Sequence, residues 1–153
     1  MPIVLAENEE TESGIHYRDR TGVSYQYPKK YARMIREKYA RMIREGERFI
    51  YYRGRKTKQA KRQPQVYFGF GTIGQTGLDH DAPGRMKCAI FEYTAFNQPL
   101  FFKSPHGEYW EKGGIRRGYF QAGVRRISEE EFGRILSAAL WRRLRLCIDW
   151  YWR

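Results

Sequence analysis

Histidine and cysteine are scarce in this chain, and the scarcity removes most metal and nucleophile chemistry. Only His16, His80 and His106 are present, none in an HxxxH or HExxH frame. The two cysteines, Cys88 and Cys147, belong to no CxxC pair and have no histidine at ligand spacing, so a zinc site or disulfide is not expected and Cys88 reads as a buried core residue. GxSxG and P-loop patterns are absent. Gly69-Phe70-Gly71-Thr72-Ile73-Gly74 matches GxGxxG by letter but falls inside a β pattern rather than at a strand-to-helix turn, so it fails as a dinucleotide fingerprint. Asp79-His80-Asp81 could hold a metal in principle, yet between Gly77 and Pro83 it reads as turn chemistry. No cofactor is expected. No run approaches the ~20 apolar residues of a spanning helix, and the start lacks the basic region of a secretion signal. A cytoplasmic protein without membrane contact is the expectation.

Acidic charge is also in short supply. Twenty-nine Lys and Arg face seventeen Asp and Glu, a formal charge of +12 over 153 residues. Such an excess favours a polyanionic partner, nucleic acid above all. The aromatic share is 16%, so one packed core is expected.

Residues 1–13, acidic and aperiodic, read as a disordered lead-in. Val23, Tyr25 and Tyr27 alternate with Ser24 and Gln26 as a half-buried strand does. Pro28 opens a helix to Glu45, ended by Gly46. Inside it the segment 31–37 recurs unchanged as 39–45; eight residues turn a helix ~80° beyond two full turns, so the two copies cannot present one face. Strands are expected at 48–54, 65–75, 85–96 and 99–103, with an edge at 108–110. On the second, Val66, Phe68 and Phe70 form one face, and Tyr67, Gly69, Gly71 and Ile73 the other. Two glycines on one face mark a bulge or a close approach. Residues 76–84 are turn-rich and 113–118 form a basic turn. Ser128-Glu129-Glu130-Glu131 is a capping box, starting a helix with Phe132, Ile135, Leu136, Ala139 and Leu140 on its apolar side. The reading is α+β: a strongly curved sheet or barrel with one or two packed helices. A core domain over 14–136 is followed by a Trp/Arg-rich helical extension at 137–153.

The positive signal is basic residues interleaved with aromatics. Arg55, Lys56, Lys58, Lys61 and Arg62 on the 55–63 connector, with Arg116 and Arg117 on the basic turn, are phosphate-binding candidates. Tyr25, Tyr27, Tyr51, Tyr52, Tyr67, Phe68 and Phe70 lie on neighbouring strands; a subset could line a pocket where a base stacks and is hydrogen-bonded.

The segments Tyr25–Tyr31, Ile43–Arg55, Tyr67–Gly74 and Tyr119–Ser128, in that order, resemble the N-terminal specificity domains of bacterial modification-dependent HNH endonucleases, which look like EVE domains of the PUA-like superfamily, alongside YTH and ASCH domains. The resemblance implies a pseudo-β-barrel of five or six strands with flanking helices. It also implies DNA binding with recognition of a methylated or hydroxymethylated base flipped into an aromatic pocket, within a restriction-modification system. Tyr25, Tyr27, Tyr52, Arg53, Phe68 and Gly69 become the base-pocket candidates. No HNH motif is present, so no catalytic residue is assigned and cleavage is expected from a fused or partner nuclease. An RNA-binding PUA-like protein and a non-catalytic regulator with a protein partner stay open.

Overall fold

A computed structural model describes residues 1–7, 20–28, 42–55, 62–82 and 84–151. Among the described residues, six strands form one mixed sheet: β1 (Ile3–Ala6), β2 (Ser24–Pro28), β3 (Arg48–Arg53), β4 (Val66–Leu78), β5 (Arg85–Phe101) and β6 (Val124–Arg126). Their spatial order is β2-β5-β4-β3-β1-β6. All pairings are antiparallel except β1 with β3, which run parallel from Ile3 opposite Phe49 to Ala6 opposite Tyr52. A helix, α1 (Glu129–Tyr151), packs across β5.

The sheet curls into a half-barrel in which edge strand β2 is tied across the interior to β1 and to the approach to β6. Tyr25 on β2 donates its hydroxyl to the Ala6 carbonyl of β1 at 2.8 Å and lies 3.4 Å from the Gly123 carbonyl, just ahead of β6. The concave interior gathers Ile3, Leu5, Phe49, Tyr51, Phe68 and Cys88 with Tyr25 and Tyr27; the convex face, under α1, buries Val4, Ala6, Ile50, Tyr52, Tyr67 and Phe132. On β1 and β3 successive residues alternate between the two layers, so both strands are buried on both faces.

Several sequence expectations need correction. Residues 3–6 are a central strand, not part of a disordered lead-in: Ile-Val-Leu-Ala has an apolar side chain for each layer, and residues 8–13 lie outside the described set. β4 extends through Leu78, into the segment expected to be turn. The strands expected at 85–96 and 99–103 are one strand, β5. Gly69 pairs with Ala95 while Tyr67 pairs with Leu100, so two steps on β4 span five on β5 and the surplus loops out around Pro99, which has no N–H to donate. The same irregularity breaks the expected faces of β4: Phe68 enters the interior while Phe70 packs on the convex layer. Val23 is 58% exposed, whereas Ser24 and Gln26, expected outside, are buried.

α1 begins with the expected capping box. Glu131 donates its N–H to Ser128 Oγ at 3.1 Å and returns Oε1 to the Ser128 N–H at 3.0 Å. The helix runs unbroken past residue 136, and Ala139 is buried in the convex layer, so the expected 136/137 boundary falls inside one packed helix. It is the single α-helix among the described residues; the helix expected over 28–45 and the duplicated heptapeptide fall mostly outside them. Six strands in a half-barrel with one helix are compatible with the pseudo-barrel expected.

Candidate nucleic-acid interface

One end of the half-barrel, at the C-terminal ends of β1 and β3, carries an aromatic stack with a charged cap. Tyr51 and Phe68 lie ring on ring, centroids 5.1 Å apart and planes 1° from parallel. Tyr93 meets Tyr51 edge-on at 5.5 Å, and the Arg53 guanidinium sits 4.8 Å over Phe68. The Gly22 N–H donates to the Tyr51 hydroxyl at 3.3 Å, which fixes the first turn before β2 against the stack. Offset rings and a cation over an aromatic face suit one another electrostatically, and a planar, electron-rich ligand would meet the same forces. Burial pushes the Tyr93 phenol pKa up, as does nearby Glu7, against a smaller pull from Arg53.

Gly69 shows why glycine stands here. A Cβ built on it would lie 2.7 Å from the Tyr93 ring and 3.0 Å from the Thr94 carbonyl, so β4 and β5 approach closely only because no side chain intervenes. The space beside Gly69 is therefore filled by Tyr93, a residue the sequence reading did not single out. Its nearest signal was Gly69, one of the two glycines that mark a close approach on β4.

The base-pocket candidates divide accordingly. At this end, the mouth, exposed Arg53 lies over Phe68, while Phe68 and its neighbour Gly69 are themselves buried. Tyr25 lies inside the barrel with its hydroxyl committed to edge closure. Tyr27 is also interior, its phenol pKa pushed up to about 12 by burial first and by Cys88 second. Tyr52 projects from the other face: it stacks on Phe120 at 5.6 Å and takes a hydrogen bond from Gln65. The six do not come together, because Tyr52 lies in the convex layer while Tyr25, Tyr27 and Phe68 lie in the concave one.

Beneath the convex layer lies a buried ion pair that sequence reasoning missed. Arg125 grips Glu111 with two parallel bonds, Nε to Oε1 at 2.8 Å and Nη2 to Oε2 at 2.9 Å, and both side chains are almost wholly enclosed. Tyr67 and Tyr119 donate their hydroxyls to the same carboxylate at 2.7 and 3.1 Å, and Arg125 Nη1 reaches the Ala122 carbonyl. The guanidinium lies 4.4 Å over the Tyr52 ring. Burial alone would lower the Arg125 pKa; the Glu111 charge and hydrogen bonds outweigh it and hold the group charged. Burial, then Glu111, pushes the Tyr67 and Tyr119 phenols well up.

Of the phosphate candidates, Arg55, Arg62, Arg116 and Arg117 are exposed. Arg55 and Arg62 flank a connector whose ends are pinned by the Gln63 N–H on the Arg55 carbonyl at 2.8 Å, and the charge of Arg55 is felt at Tyr52. Arg116 lies 5.5 Å from the Tyr119 ring. Lys56, Lys58 and Lys61 lie outside the described residues. Asp79 accepts the Asp81 N–H at 3.0 Å and a bond from Gln26, which leads the causes lowering its pKa; this is a turn held by its own side chain. Among the described residues no group of three His, Cys, Asp or Glu could hold a metal, and no helix is long and apolar enough to cross a membrane.

No family model matches the chain, and no curated protein sequence matches it. Among solved structures, the fold is similar to the N-terminal domain of Staphylothermus marinus McrB, with a TM-score of 0.51 and 14% identity over 89% of this chain and 93% of that one.

Proposed function

We propose that this chain is a DNA-binding module that recognises a methylated or hydroxymethylated base, flipped from the duplex, as the specificity part of a restriction-type system. The observation that carries the reading is the mouth of the half-barrel, where Arg53 caps the Phe68–Tyr51 stack beside Tyr93 in a chain of net charge +12. Backbone attraction delivers the duplex, with a salt dependence of about −0.9 per phosphate neutralised in log–log slope. Tyr51 and Phe68 are buried, so a flipped base would gain stacking and charge there by displacing the exposed Arg53 and the half-buried Tyr93 from the stack. The motif resemblance to EVE-like domains of the PUA-like superfamily and the fold shared with the McrB N-terminal domain support this assignment. In this reading the chain makes no cut, and strand cleavage belongs to a fused or partner nuclease.

A gel-shift panel of methylated, hydroxymethylated and plain duplexes, with a structured RNA alongside, tests it. A preference of about tenfold or more for one modified duplex is expected, the usual scale for a single base pair's discrimination. Equal binding to all duplexes removes base recognition, and preference for the RNA transfers the module to RNA binding.

A further inference from the structure

Ile115 is 82% exposed, the most exposed large apolar side chain among the described residues, and it is followed by exposed Arg116 and Arg117. It ends a 3-10 turn, Lys112–Ile115, that is tied to the fold beneath it. The Gly114 N–H donates to the Glu111 carbonyl at 2.9 Å, and the Arg116 N–H to the Gly113 carbonyl at 3.0 Å. Glu111 at its root is the carboxylate clamped by Arg125, Tyr67 and Tyr119. Its neighbour Lys112 donates its N–H at 2.9 Å to Glu131, which also caps α1. Gly113 and Gly114 lie flat against aromatic rings: a Cβ on either would come within 2.1 Å of Tyr119 or 2.7 Å of Tyr109. Gly118, at φ 77°, lets the chain turn back.

An exposed isoleucine on a mobile tip would be unremarkable. Here the tip is anchored through a fully buried ion pair, which is costly to assemble and is satisfied by hydrogen bonds from two tyrosines. Two arginines beside the apolar tip match the arrangement by which proteins press an apolar wedge between base steps while cations hold the flanking phosphates. We infer that Ile115 is a wedge that inserts into the DNA base stack, with Arg116 and Arg117 on the adjoining backbone and the Glu111–Arg125 pair as its pedestal. This inference rests on the DNA-binding reading above, and it assigns the turn a task separate from that of the mouth.

The test uses duplexes carrying a fluorescent adenine analogue, dim when stacked, and compares the full chain with Ile115→Ala, Ile115→Leu and the double variant Arg116→Ala/Arg117→Ala. The wild type and Ile115→Leu should bind and brighten the probe. Ile115→Ala should bind about tenfold more weakly, as loss of an anchoring side chain does, retain the wild-type salt slope and leave the probe dim. The double arginine variant should lose about 2 from the magnitude of the slope. Brightening and affinity unchanged in Ile115→Ala would overturn the wedge while leaving DNA binding in place. Failure of the wild type to bind any duplex would bring down both.

Discussion

The concave and convex faces of the sheet are both lined with aromatic rings, yet they satisfy their buried polar groups differently. Inside the half-barrel two tyrosines are anchored by backbone: Tyr25 donates to the Ala6 carbonyl, and Tyr51 accepts from the Gly22 N–H. On the convex side, Tyr67 and Tyr119 converge on a carboxylate held by an enclosed arginine. Neutral hydroxyls bridging backbone close a barrel at modest cost, and each is replaceable. A buried ion pair is worth little net stability but cannot lose one member cheaply. The difference teaches where the molecule tolerates change: the interior is a packed closure, and the convex side is a rigid mount.

The largest contrast comes from breaking the mount. Glu111→Ala leaves Arg125 charged and enclosed without its partner, and should cost about 3–5 kcal/mol in urea unfolding. Replacing both partners, Glu111→Leu with Arg125→Met, should recover most of that loss. If Glu111→Ala cost no more than deletion of an interior hydroxyl, the contrast between the faces would vanish.

Next in size is Gly69→Ala at the mouth. The added methyl meets the Tyr93 ring and the Thr94 backbone, so overpacking of roughly 1–3 kcal/mol is expected from the same unfolding measurement. A neutral outcome would mean that Tyr93 swings away freely. Tyr25→Phe sharpens the interior side: loss of the hydroxyl bond from edge strand β2 to β1 should cost about 1 kcal/mol, with the fold retained.

The smallest effect is a matter of pH. Folded Tyr27 holds its proton until about 12, whereas in the unfolded chain a tyrosine releases it near ~10. Between those values the unfolded state binds fewer protons, so stability is full below the lower value and declines as pH climbs toward the upper. Unfolding series across that window should show a shallower alkaline decline in Tyr27→Phe than in wild type; identical slopes would place the loss at other tyrosines.

Much of this architecture was legible in the sequence where local chemistry decides it. Ser128 and Glu131 announced the helix start, and the Arg-Phe-Ile-Tyr-Tyr-Arg pattern announced β3. The glycines at 69 and 71 signalled close approach, which Tyr93 and Phe91 supply. β1 was missed although Ile3–Ala6 is a short apolar run of the kind a fully buried strand shows; the acidic stretch after it masked the signal. The joining of the two expected strands into β5 could not be read, because a surplus that loops out around Pro99 depends on which β4 residue lies opposite. The Glu111–Arg125 pair left no local mark either. Its members lie fourteen positions apart, and only the arrival of β6 beside β1 brings them together. The candidate site was legible only in part: the family resemblance singled out Arg53, Phe68 and Gly69, but one residue of register places Tyr51, and not Tyr52, beside Phe68.

The most direct measurement of the central claim is the ratio of dissociation constants for a modified and an unmodified duplex of identical sequence, at one fixed salt concentration, in the wild type and in Arg53→Gln. A ratio of roughly tenfold or more is expected in the wild type, falling toward unity in the variant while affinity for the plain duplex changes little. A wild-type ratio of one, or a ratio untouched by Arg53→Gln, would contradict it.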